Sequence, residues 1–160
     1  PTNNFQLDQR AMHYTMIAGG IGLTPLISMA YKLKALRKPM DFHVCVRSRE
    51  SELFRRELEE LVDADYLHFH FTDGDLSKRL NLNDLLKKPI QGGLLYCCGP
   101  QELMDAVAAA ASSWYPKKLR FEIFTPSKLD GSDNAFDIRI GDTGQIIQVS
   151  PTETILNALK

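Results

Sequence analysis

The sequence predicts an α/β fold: a doubly wound, five-stranded parallel sheet with helices on both faces, followed by a truncated C-terminal β-hairpin and helix start. Three observations predict it. Five short apolar runs alternate with segments whose apolar residues recur at helical spacing, and strands joined through helices pair in parallel with right-handed crossovers. A glycine-rich turn joins the first run to the first helical segment. A polar stretch carrying Pro and Gly then separates these elements from a shorter pair of alternating runs.

The first strand is expected over residues 14–18. Thr24 can cap the helix that follows, Pro25 suits its first position, and Leu26, Met29, Ala30, Leu33 and Leu36 fall on one face. The second strand covers 42–46, and the second helix 51–62 with Phe54, Leu58, Leu61 and Val62 as its core stripe. A third strand at 66–71 and a fourth at 94–98 are separated by a short helical turn at 83–87. An alanine-rich helix over 101–113 leads to the fifth strand, 119–124. Residues 125–134 are polar and lack periodicity, which predicts a linker. Beyond it, runs at 136–140 and 145–149 flank Gly141-Asp142-Thr143-Gly144 as a hairpin. Ser150-Pro151-Thr152-Glu153 then carries the signature of a helix start. A hairpin and a few helical residues are too small to be stable alone. The expected organisation is therefore a nucleotide-binding domain over 1–124, a linker over 125–134, and the incomplete opening of a second domain over 135–160.

Composition excludes several classes. With 160 residues, 44% of them hydrophobic and 24% charged, the chain matches ordinary globular proteins. Its 19 basic and 20 acidic residues leave a net charge of -1, without the positive field that nucleic-acid binding rests on. The longest apolar stretches fall short of the roughly 20 residues of a bilayer span, so no membrane partner is expected. Three cysteines, Cys45, Cys97 and Cys98, are an odd number, and neighbours in a strand point to opposite faces, so Cys97 and Cys98 do not bridge. This suits a reducing, cytoplasmic setting. The opening at Pro1, with neither Met nor a charged-then-apolar leader, reads as a cut rather than a secretion signal.

Open parallel sheets bind ligands beyond the carboxyl ends of their strands. After the first strand comes Gly19-Gly20-Ile21-Gly22-Leu23-Thr24-Pro25, where glycines let a phosphate approach the backbone and a helix start offers free N–H groups. The spacing differs from the wider dehydrogenase fingerprint, and no acidic residue ends the second strand. Arg47-Ser48-Arg49 stands there instead: either a grip on the adenosine half of a dinucleotide, or solvated cations near Glu50 and Glu52. After the fourth strand, Cys98-Gly99-Pro100 would let a ligand ring lie close to the backbone. No His is placed by sequence to activate Cys98, so covalent catalysis is not expected. His68 and His70 share a strand face but lack a third ligand at suitable spacing, so no metal site is expected. Asp73-Gly74-Asp75 reads as a turn.

Together, the Gly19–Pro25 turn, Arg47-Ser48-Arg49, Asp73-Gly74-Asp75, Cys98-Gly99-Pro100 with Met104, and Phe121-Glu122-Ile123-Phe124 resemble the nicotinamide-nucleotide domain of the ferredoxin-reductase superfamily. The chain is most similar to the phthalate dioxygenase reductase family, in the branch that includes vanillate demethylase and carnitine monooxygenase reductases. In that family an FMN domain precedes the nucleotide domain and a plant-type 2Fe-2S ferredoxin domain follows it. Electrons pass from NADH through FMN to the cluster and on to a Rieske-type terminal oxygenase. The resemblance implies that Gly19, Gly20, Gly22, Thr24 and Pro25 face the pyrophosphate, and that Arg47, Ser48 and Arg49 meet the adenosine side. It also implies that Cys98, Gly99, Pro100 and Met104 lie by the nicotinamide, with Glu122 and Phe124 near the flavin. Residues 136–160 resemble the first hairpin and helix of a ferredoxin, while the flavin motif and the cluster's cysteine loop are not seen, so the chain itself is expected to hold neither group. NADH is the expected cofactor, with NADPH an alternative because the arginines could also grip a 2′-phosphate. The competing function is a nucleotide-binding regulatory or assembly module without turnover. A flavohaemoglobin-type reductase shares the glycine turn, but the ferredoxin-like tail argues against it.

Overall fold

Alternation of apolar side chains settles how the sheet is covered. Along β1 (His13–Gly19), Tyr14, Met16 and Ala18 join one buried cluster while Ile17 joins the other. The computed structural model describes residues 5–124 and 134–160, and the remaining elements follow in chain order. They are α1 (Leu23–Ala35), β2 (Met40–Val46), α2 (Arg55–Leu61), β3 (Leu67–Phe71), α3 (Leu82–Leu85), β4 (Gly93–Cys98), α4 (Gln101–Ala110) and β5 (Leu119–Glu122). Then come β6 (Phe136–Arg139), β7 (Ile146–Val149) and α5 (Ile155–Ala158). The chain divides into two compact units between residues 125 and 126.

In the first unit, five strands form one sheet in the order β3-β2-β1-β4-β5, every neighbouring pair parallel. The doubly wound arrangement predicted from the alternation is the one observed. Leu26, Ala30 and Leu33 of α1 and Leu58 and Leu61 of α2 cover one face with Phe42, Val44 and Tyr96. Met104 and Val107 of α4, with Leu86 and Trp114, cover the other face over Leu95 and Cys97. Cys97 and Cys98 fall in opposite clusters, and all three cysteines are free. The entering segment is tied to the sheet centre: Asp8 N–H donates to Tyr96 Oη at 2.8 Å, and Tyr14 Oη donates to the Asp8 carbonyl at 2.7 Å.

Several local expectations are corrected. Helix α1 starts one residue before Thr24, continuous with a 3-10 turn at Gly20–Gly22. Thr24 is therefore not the cap; its hydroxyl donates back to the Ile21 carbonyl at 2.9 Å. The helix expected over 51–62 shortens to α2 because Phe54 takes a left-handed conformation, φ +56°, which leaves its ring outside the core. Arg55, bonded to both Glu52 and Glu59, secures the first turn in its place. Helix α4 ends at Ala110, three residues short of the expected end, and the chain turns so that Trp114 Nε1 donates to the Leu86 carbonyl at 2.9 Å. Strand β5 stops at Glu122, so Phe124 lies beyond it.

The second unit pairs β6 antiparallel with β7, from Phe136 opposite Val149 to Arg139 opposite Ile146. The Glu153 carboxylate accepts from the Ser150 N–H at 3.1 Å, as a capping box would. The helix nevertheless begins later, where Thr154 Oγ1 accepts from Asn157 N–H at 3.2 Å. The expected linker lies, apart from Asn134, outside the described residues. Among the described residues no helix is long and apolar enough to cross a membrane.

Candidate functional site

Beyond the carboxyl ends of β1, β2 and β3, on the face covered by α4, lies a cleft of about 440 Å³. Gly19 and Gly20 supply its wall from β1, Val46 and Arg47 from β2, and His70 and Thr72 from β3. Leu80, Leu82, Pro100 and Leu103 close it on the α3 and α4 side. This is the switch point of the sheet, where β1 is flanked by β2 on one side and β4 on the other.

The glycines have separable roles. Gly20 sits at φ +53°, and a Cβ built there meets nothing within 4 Å, so it is chosen for backbone conformation beside open space. A Cβ on Gly22 would stand 2.2 Å from the Cys98 carbonyl oxygen, and one on Gly19 would stand 2.7 Å from Leu103 Cδ2. A Cβ on Gly99 would come within 3.0 Å of the Gly19 backbone. Gly19, Gly22 and Gly99 therefore let the turns after β1 and β4 touch. Gly22 does not line the cleft, and neither do Thr24 and Pro25, which follow the continuous turn into α1.

The two arginines part company. Arg47 lines the cleft, and its carbonyl accepts from Asp73 N–H at 2.7 Å, tying the β2 end to the β3 end. Arg49 lies over the Phe71 ring, 5.2 Å from its centroid, and is outside the lining. Ser48 is also outside; its hydroxyl lies 3.4 Å from that of Ser51, which is in the wall. The expected turn at 73–75 is present: Asp75 N–H donates to the Thr72 carbonyl at 2.7 Å, with Gly74 at φ +82°.

A second cation in the wall is Arg79, paired with Glu102 of α4 at 2.7 Å. Neither residue is marked by a motif in the sequence, because Arg79 follows the third strand by way of a turn and not directly. Cys45 and His70 were missed as neighbours because they stand opposite each other in the β2–β3 register, which spacing along the chain does not reveal.

Cys98, Glu122 and Phe124 all lie outside the cleft lining. Cys98 has 0% exposure and lies in the α1-side cluster, away from the cleft. Burial, reinforced by the Glu122 carboxylate, pushes its thiol up to about 11, so it remains protonated at neutral pH. Burial also pushes the Cys45 and Cys97 thiols up to about 12. Glu122 stands opposite Cys98 in the β4–β5 register, and Phe124 is 47% exposed beyond the strand end. Met104 is a core residue: the first turn of α4 directs it into the cluster with Val107 and Trp114, outside the cleft lining. No group of three or more His, Cys, Asp or Glu among the described residues could hold a metal ion.

Comparison with known proteins places this geometry. Residues 16–109 match the family model described as the oxidoreductase NAD-binding domain. A vanillate O-demethylase oxidoreductase of a Pseudomonas species is 34% identical over 162 residues, covering 99% of this chain and 51% of the relative. A phthalate dioxygenase reductase of Burkholderia cepacia is 32% identical over 163 residues, covering 100% of this chain and 50% of the relative. A solved phthalate dioxygenase reductase, described as a modular structure for electron transfer from pyridine nucleotides to 2Fe-2S, superimposes with a TM-score of 0.75 and 31% identity, over 99% of this chain and 50% of that one. The chain spans about half the length of the curated relatives it matches.

Proposed function

Since the chain belongs to the oxidoreductase NAD-binding domain family, we propose that it is the NADH-binding part of a reductase that serves an oxygenase. The observation that carries this reading is the cleft after β1, β2 and β3, with a conformationally special glycine beside open space and two arginines in its wall. An adenosine diphosphate fits that chemistry. Main-chain groups at Gly19 and Gly20 take the diphosphate, and Arg47 and Arg79 neutralise its charge. Leu80 and Leu82 give the adenine an apolar wall. Gly99 and Pro100, beside Cys98, lead the nicotinamide end toward Glu122 and Phe124 at the sheet's other half. Bound NADH supplies a hydride; the protein's part is to hold the ring in place and keep water from it.

NADH rather than NADPH is proposed, with Arg47 as the residue that sets the ratio now that Arg49 is engaged with Phe71. In a longer protein of the relatives' length, an FMN would supply the hydride acceptor, and a 2Fe-2S cluster in the domain opened by β6 and β7 would supply single-electron transfer toward a Rieske-type oxygenase. The three cysteines of this chain lie in the sheet of the first unit and do not fit a cluster, so no step runs through them. The setting proposed is the cytoplasm.

Calorimetric titration with NADH tests the binding half: saturable binding is expected, weakened at least about fivefold by Arg47→Ala. In a version extended to the length of the relatives, NADH is expected to drive ferricyanide reduction. Tight binding there without turnover would leave a sensing or assembly module, not a reductase.

A further inference from the structure

Three histidines gather at the β2–β3 side of the cleft, on the face that α4 covers. His43 and His68 stand opposite each other in the strand register, as do Cys45 and His70. The His43 ring stacks on both His68 and His70, with centroids 4.7 and 5.3 Å apart. His43 Nδ1 lies 3.1 Å from His70 Nε2, so one ring N–H donates to the other's lone pair. His43 is buried, and its Nε2 is the one buried side-chain polar atom without a partner among the described residues. His70 differs from the other two in reaching the cleft wall.

We infer that His70, oriented by His43, is a positioning residue of the nucleotide cleft that takes a proton from solvent when a diphosphate binds. This rests on the nucleotide reading given above. His43 provides the means. When His70 is charged, both of its nitrogens carry hydrogen; Nε2–H then donates to His43 Nδ1, and Nδ1–H is left for an anion in the cleft. The His43 proton belongs on Nε2 in that arrangement, which makes the orphaned atom a buried N–H. Two charged rings cannot share the bond, and burial with the neighbouring His68 and His70 holds His43 at about 3, so it stays the neutral acceptor.

The titratable groups facing His70 are His43 and Cys45 from β2 and His68 on its own strand. The charged groups sharing the cleft wall are Arg47, Arg79 and Glu102, the last two paired with each other. Burial, then His68, holds His70 below the usual histidine value. A bound diphosphate offsets the cations and raises it. A group whose pKa rises on binding strengthens affinity as pH falls through the bound-state value, and the gain levels off below the free-state value.

ADP-ribose is the probe, because its diphosphate charge is constant over the range tested. Calorimetry from about pH 7.5 to about pH 5.5, in two buffers of different ionisation enthalpy, is expected to show about fivefold tighter binding at the acid end, with net proton uptake. His70→Gln keeps a donor for His43 but does not titrate, and is expected to reduce the change to about twofold or less. Proton uptake by the unmodified chain is read without any variant, so a folding defect in His70→Gln leaves that arm intact. Binding that is flat with pH and takes up no proton overturns the inference while sparing the nucleotide reading, as does a His70→Gln variant that keeps the full pH slope. Absence of ADP-ribose binding at every pH removes both.

Discussion

Gly20 and Gly22 stand two residues apart in one turn and answer to different physics. Gly20→Ala places a methyl in open space at a left-handed φ, so a stability loss of about 1–2 kcal/mol is expected from conformation alone. Gly22→Ala drives a methyl into the Cys98 carbonyl, which is backbone and cannot swing aside, so a loss of roughly 3 kcal/mol or more is expected. Urea denaturation of the two variants separates them, and equal losses would contradict the assignment. Nucleotide affinity is expected to respond to Gly20→Ala, since that residue lines the cleft. The same residue scale disposes of Cys98 as a nucleophile: a thiol pushed up to about 11 and sealed in the core offers no thiolate at neutral pH. Of the residues singled out in the sequence, Gly19, Gly20, Arg47 and Pro100 line the cleft, each within two residues of a strand end, where sequence signals are local. Arg49 lies over Phe71 and Met104 in the core because whether a side chain faces a cleft, a ring or the core depends on neighbours distant in sequence.

At the scale of elements, a buried hydrogen bond adds to the apolar packing that holds the cleft's far wall. Leu80 and Leu82 lie at and before α3, which has only four residues and little intrinsic stability. Trp114, past the end of α4, holds that segment by donating to the Leu86 carbonyl. Trp114→Phe keeps most of the apolar bulk and removes the donor, leaving a buried carbonyl unpaired. A loss of about 1–3 kcal/mol is expected, with faster amide exchange in α3 and weaker nucleotide binding. Exchange in α3 unchanged from the parent would show that the wall stands without the tie. The strands were legible to within two residues because period-two alternation and glycine turns are local signals. Helix ends were less so: α2 starts only after the left-handed Phe54, four residues beyond the expected start, and α4 ends three residues early, where the chain turns to bring Trp114 to Leu86.

For the molecule as a whole, a net charge of -1 supplies no long-range attraction for an anionic dinucleotide. On the proposed reading, recognition rests on Arg47 and Arg79 at contact distance, with Glu102 already beside Arg79. Affinity for ADP-ribose is therefore expected to fall by only about threefold between roughly 50 and 300 mM salt. A fall of more than about tenfold would point to a field the composition does not provide.

Read by itself, the chain determined its sheet of five parallel strands, the place of the glycine turn and the family to which that turn belongs. These are local matters: the alternation of apolar residues, the few residues able to take a positive φ, the order of strand and helix. What tertiary structure decided was which side chains share the cleft. His43, Cys45, His68 and His70 meet because β2 and β3 are in a particular register, and Arg79 meets Glu102 because a loop folds toward α4. Register and loop closure are fixed by packing of the entire sheet against its helices, and no stretch of sequence short enough to read as a motif contains that information.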